Sequence, residues 1–263
     1  MSVLDANSPE LMFRTLKEVK AYSKFFLQHD PIESQCEFTK EEWEEFCARR
    51  QLQLEAQLNN FKNIDFSKAN TTSIRNTYSR IIPARYDQPL SSEGSDHRSS
   101  RFNYKDVDHL KNKVIYLGKN QQCCEVEKFY LDYQIAHLQQ MQREAVNDLD
   151  IRFNHIEEQN VYEFDVKLDN VLVLTSKPSC DAINVSMGTY QNEWFEVNDE
   201  YDIPSSSQIL GTLARKNGFN GIMYTSVRHQ LQHNLVIFEE NTSKLEFKII
   251  SKKEFHPTAE LFK

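Results

Sequence analysis

The chain has 263 residues, of which 39% are hydrophobic, 11% aromatic and 27% charged, and its formal net charge is −8. This is the composition of a folded chain with a core, long enough for one large domain or one domain with an extension, and it excludes disordered and collagen-like classes. The acidic excess repels phosphate backbones and anionic lipid surfaces, so neither a nucleic acid nor a membrane partner is expected, and only a local basic pocket would suit a small anion.

Glycine is scarce: there are six, and none precedes Gly94. No G-x-G-x-x-G fingerprint and no Walker A loop is written anywhere. No run approaches the ~20 apolar residues of a spanning helix, and the start, MSVLDANSPE, lacks the basic and apolar regions of a signal peptide. Five cysteines, an odd count without zinc spacing, are expected as reduced thiols in a cytoplasmic chain, with no metal.

In chain order, Ser8 caps and Pro9 opens a first helix whose stripe is Met12, Leu16, Val19, Tyr22 and Phe26. Thr39-Lys-Glu-Glu42 is a capping box for a second, with Trp43, Phe46, Cys47, Leu54, Leu58 and Phe61 as its buried face. The two read as a helical hairpin forming an N-terminal extension, residues 1–75. A polar stretch, Lys62 to Thr77, links it to a domain at 76–263. There, strands are predicted at Tyr78–Ile82, Lys113–Leu117, Val161–Leu168, Val171–Thr175, Gly221–Tyr224, Asn234–Phe238 and Leu245–Ile250. Helices are predicted from about Gln121 to Arg143 and from about Ser205 to Lys216, the latter ended by Gly218 in a left-handed turn. The mixture is α+β.

Several patterns have plain explanations. His229 and His233 lack the glutamate of a metalloprotease motif and read as hydrogen-bonded or solvated loop residues. Cys123 and Cys124, near a helix start, read as small residues facing a sheet. The run Glu41, Glu42, Glu44, Glu45 suits the first turn of a helix, where the dipole favours acid.

One ordered set of segments says more. Ser79-Arg80-Ile81, Ser99-Ser100-Arg101-Phe102-Asn103, Val114 to Gly118, Cys124-Glu125-Val126-Glu127, and Gly221 to Arg228 with Asn234 to Phe238 together resemble the RES-domain family. The resemblance runs from about Tyr78 to about Ile250. It implies Arg101, Glu127 and Ser226 as the catalytic set, with Arg80, Tyr116, Arg228 and Asn103 binding NAD. Family spacing selects Glu127 over Glu125. It also implies an ADP-ribosyltransferase-like mixed sheet core with flanking helices. The implied activity is that of a toxin, an NAD glycohydrolase or NAD phosphorylase that releases nicotinamide to water or phosphate, restrained by an antitoxin or immunity protein in a separate chain. Two departures are visible. Ser99-Ser100 stand where many members have two glycines, and Phe102 where they have tryptophan, so a differently shaped loop around Arg101 is expected.

These residue types suit that chemistry. Cleaving an N-glycosidic bond passes through an oxocarbenium-like state, which a carboxylate such as Glu127 stabilises or positions through the ribose hydroxyls. Arginine offers a pyrophosphate a planar, permanently charged fork, and a tyrosine face stacks on nicotinamide. Ser226 is expected to hydrogen-bond the nicotinamide side or the ribose, not to act as a nucleophile. Two alternatives remain: a protein ADP-ribosyltransferase using the same pocket, and a catalytically silent binding module. Taken singly, Tyr116 reads better as a core aromatic, Glu127 and Arg101 as a surface pair, and Ser226 as a turn residue; only the ordered set favours function.

Overall fold

The structure is a computed structural model describing residues 40–92, 99–104, 113–130, 132, 156–191, 194–201, 203–229, 231–242 and 246–257. The first predicted helix and the Thr39 cap lie outside these residues, as does the far half of the helix predicted to reach Arg143. The chain forms two compact units, one of residues 1–70, 96–112 and 177–218, the other of 71–95, 113–176 and 219–263.

The second unit holds a six-stranded sheet: β1 (Thr71–Pro83), β2 (Val114–Gly118), β3 (Gln159–Leu174), β4 (Gly221–Thr225), β5 (His233–Phe238) and β6 (Glu246–Phe255). Their order is β1-β2-β5-β4-β3-β6, and β1 pairs also with β3, so five of the strands form a closed circuit. β3 and β4 run parallel, and every other pair is antiparallel. The expected α+β class with a mixed sheet is what the chain adopts.

Two boundaries differ from expectation. Residues Thr71 to Thr77, read as linker, are the first half of β1 and pair along β3. Their side chains are mostly exposed, with Ile74 alone buried, so the apolar alternation that marks a strand is missing while the backbone ladder is complete. Likewise the two strands predicted around residue 170 are one. Asn170, at φ 52°, interrupts its regular backbone, and Asn220 clips the bend by donating to the carbonyls of Asn170 (3.0 Å) and Asp169 (2.8 Å).

Alternation divides the sheet into two faces. One carries Ile74, Tyr78, Ile82, Ile115, Leu117, Tyr162, Phe164, Val166, Leu168, Leu235 and Ile237 in a single buried cluster. On the other, Ile81 and Val161 pack with Phe129 from residues 121–130, which are helical.

Residues 121–130 (α2) belong to the second unit, and the first contains α1 (Lys40–Asn59), the short helices α3 (Lys177–Ala182), α4 (Gly188–Gln191) and α5 (Trp194–Tyr201), then α6 (Ser206–Lys216). Leu54, Leu58 and Phe61 of the predicted stripe are buried, and Phe46 stacks on Tyr201. The N-terminus of α6 is satisfied from two directions: Ser205 N–H donates to Gln208 Oε1 (2.8 Å) and Ser206 N–H to Gln57 Oε1 of α1 (2.8 Å). At its end Gly218 takes φ 80°, the expected left-handed turn. No described helix is long and apolar enough to cross a membrane.

Candidate active site

The site grows from the junction of β2 and α2. Asn120 Oδ1 accepts the N–H of Cys123 (2.9 Å) and caps the helix. A Cβ at Gly118 would lie 2.6 Å from Cys124 Sγ, so glycine is what lets the first turn close onto the strand end. Both cysteines do face the sheet, as expected, and both also bond to it: Cys124 Sγ donates to the Ser79 carbonyl (3.0 Å) and Cys123 Sγ to Asn234 Oδ1 (3.1 Å). Burial pushes the Cys124 thiol up to about 12 and raises that of Cys123, which keeps both protonated and poorly nucleophilic at neutral pH.

One turn further, Glu127 Oε1 accepts two hydrogen bonds, from Ser226 Oγ (2.6 Å) and from Asn234 Nδ2 (2.8 Å). Among the described residues, no donor reaches its second oxygen. Ser226 follows β4 directly and is fully buried. Its N–H donates to the Gln232 carbonyl (2.9 Å), and its Oγ accepts the N–H of His229 (2.8 Å), so the loop between β4 and β5 is folded around the serine. Glu125, two positions away, is buried and held by Gln121 of its own helix (2.6 Å), and burial raises its pKa. Of the two glutamates, Glu127 is the one joined to Ser226.

Tyr116 is opposite Val236 in the β2–β5 register, and Gly118 is opposite Asn234. Tyr116 therefore shares the face of Asn234, the face that meets α2, and is half-buried there. Arg228, two residues past Ser226, sets its guanidinium 3.9 Å from the centre of the Tyr130 ring, one turn along α2 from Glu127. Arg80 is not joined to this network. It occupies the strand position between Tyr78 and Ile82, on the core side, and donates to the carbonyls of Pro89 (2.7 Å) and Ser91 (3.3 Å). Burial lowers its pKa to about 10, which leaves it cationic at neutral pH. Lys128, although open to solvent as a residue, tucks its ammonium against the Ile81 carbonyl (3.1 Å) and Gln159 Oε1 (2.7 Å). Desolvation, then the charge of Arg80, brings it to about 8.

In the first unit, Ser100 and Asn103 close a tight turn through paired backbone bonds (2.8 and 3.2 Å), with Arg101 at its corner. The Arg101 guanidinium donates to the Tyr190 carbonyl, and the ring of Phe102 tilts against that of Tyr190. Arg101 and Asn103 are both buried, and Ser100 Oγ bonds Asn103 Oδ1. Ser100 is not among the described residues with a positive φ, so serine fills this position without glycine's freedom.

The RES domain family model matches residues 77–256. This chain belongs to the RES domain family. A solved chain from the M. tuberculosis MbcT–MbcA toxin–antitoxin complex is similar in fold, with a TM-score of 0.51 and 19% sequence identity over 79% of this chain and 94% of that one. A search of curated proteins gives no match.

Within this RES domain, the residues missed from sequence are Asn234, Cys123 and Tyr130. Asn234 opens the apolar run of β5 and reads there as a strand start. Its one telling signal is polarity at a position whose neighbours, Leu235 to Phe238, are all buried apolar residues. Cys123 passes for packing because cysteine is so often buried.

Proposed function

We propose that this RES domain cleaves the nicotinamide–ribose bond of NAD, with Glu127 as the carboxylate facing the reacting sugar. The observation that carries the reading is that Ser226 and Asn234 both bind Glu127 Oε1, while no described donor occupies Oε2. A carboxylate steadied through one oxygen can offer the other to ribose hydroxyls and to the positive charge that develops as nicotinamide departs. The glycosidic electron pair leaves with the nicotinamide nitrogen, which becomes neutral. Water then adds its hydroxyl to the ribose carbon and releases a proton, or phosphate adds through one oxygen to give the ribosyl phosphate.

Tyr116, on the same sheet face as Asn234, has the ring to stack on nicotinamide. Arg228, stacked on Tyr130, is the candidate for the pyrophosphate on the Glu127 side of the sheet, whereas Arg80, which the family resemblance also offers, is bonded to Pro89 and Ser91 on the other face. The family resemblance extends the binding role to Arg101 and Asn103. By analogy with the toxin–antitoxin complex of similar fold, a separate inhibitory chain is proposed to cover the site in the cell.

The test is incubation of the pure protein with NAD, with and without phosphate and with and without cell lysate, following nicotinamide and protein labelling. Release without lysate, lost in Glu127→Gln, is expected, and phosphate dependence assigns the acceptor. Release only with lysate, together with a labelled band, would identify a protein ADP-ribosyltransferase. If wild type and Glu127→Gln leave NAD equally intact, the enzymatic reading is abandoned for a silent binding module.

A further inference from the structure

The two donors that converge on Glu127 Oε1 are each held from behind. Ser226 Oγ takes the His229 N–H, so its own hydrogen is directed to the carboxylate. At Asn234 the group behind is Cys123 Sγ, 3.1 Å from Oδ1 and fully buried in the first turn of α2. An asparagine amide is nearly symmetric in shape, and only its hydrogen-bond partners decide which end faces which way. Turned by half a rotation, Asn234 would set a carbonyl against the Glu127 carboxylate and lose the bond at 2.8 Å.

We propose that Cys123 is a positioning residue, whose S–H group selects the Asn234 orientation that donates to Glu127 and leaves Oε2 for substrate. Its contribution to catalysis rests on Glu127 being the reacting carboxylate, but the orientation itself does not. A thiol donor pairs with the carbonyl end of the amide, and toward the NH2 end its sulfur is only a weak acceptor. Burial raises the pKa of this thiol, so the proton is present throughout the neutral range. Cys123 thus acts through two hydrogen bonds in series, without touching substrate.

Cys123→Ser and Cys123→Ala separate this role from packing. Serine is the more polar residue to bury and keeps a donor, whereas alanine is the better apolar filler and has none. Packing alone therefore ranks alanine above serine, and positioning ranks serine above alanine. Alanine is expected to lower kcat about tenfold, the loss of roughly one hydrogen bond, with KM for NAD within about twofold; serine is expected to stay within about threefold of wild type. The Asn234 side-chain amide, followed by nitrogen-15 NMR, is expected to show one slowly exchanging proton in wild type and Cys123→Ser and to lose it in Cys123→Ala. If alanine fails to fold, Cys123→Val supplies the donor-free comparison, with the same ranking expected. Equal amide protection in the serine and donor-free variants overturns the proposal. Inertness of both wild type and Glu127→Gln toward NAD would instead reject the proposed reaction, and the amide spectra alone would then decide the role of Cys123.

Discussion

The two faces of the sheet are built from alternate residues of the same strands, yet they behave as different materials. On one face, Tyr78, Ile115, Leu117, Phe164, Leu235 and Ile237 make a dry cluster. On the other, α2 is bonded to the sheet and the adjoining loop by polar groups along much of its described length: Cys123 to Asn234, Cys124 to the Ser79 carbonyl, Glu127 to Ser226 and Asn234, and Lys128 to the Ile81 carbonyl. Neighbouring residues divide accordingly: Tyr78 faces the core and Ser79 the helix, Leu235 the core and Asn234 the carboxylate. A strand can thus serve stability with one parity and chemistry with the other, and substitutions on the two faces should fail in different ways.

The largest effect is expected on the dry face. Phe164→Ala removes a fully buried ring and is expected to cost about 3–5 kcal/mol of unfolding free energy. In a urea titration, a cost below about 1 kcal/mol would show that this face is not the core of the second unit. Next comes Glu127→Gln. The glutamine carbonyl can still accept from Ser226 and Asn234, so the fold should hold while the charge is gone. A fall in kcat/KM of roughly 10²–10³ is expected, with little change in thermal midpoint; equal losses of stability and activity would erase the distinction between the faces.

Ser226→Ala should do some of each. It strands the N–H of His229 and removes one donor to Glu127, so a stability loss of about 1–3 kcal/mol is expected together with a measurable drop in activity.

The smallest expected effect is a pH dependence on the dry face. Burial, then the charge of Lys119, lowers the pKa of His233, whose Nε2 lies 3.2 Å from the Tyr78 hydroxyl. The unfolded chain takes up a proton near the ordinary histidine value and the folded chain only at lower pH. Stability is therefore full above about 6.5, declines as pH falls toward the folded pKa, and levels off beneath it. Melting curves of wild type and His233→Gln between pH 5 and 8 should diverge only at the acidic end. Parallel curves would show that His233 titrates like a free imidazole.

Much of the fold was legible in the sequence because β2, β4 and β5 are short apolar runs bounded by turns, and each was placed within a residue or so. The first half of β1 was not. Thr71 to Thr77 carries one buried side chain, and its strand character lies wholly in backbone bonds to β3, which leave no mark on residue type. The short helices between Lys177 and Tyr201 were missed for a related reason, since four to eight residues are too few to show a helical period. In the site, the identities of Glu127, Ser226 and Tyr116 came from the order of motifs, while their bonds did not.

Local sequence was enough for the α+β class and for α6 with its glycine stop, because turns and apolar runs act over a few positions, whereas the candidate residues came from the ordered motifs of the family resemblance. Only the tertiary structure joined Glu127 to Ser226 and Asn234, 99 and 107 residues away, turned Cys123 from a packing residue into a donor, and put Arg80 on the core side of β1. Such outcomes depend on strand register and parity, where a shift of one residue moves a side chain to the opposite face. No local pattern encodes which distant strand will supply the partner.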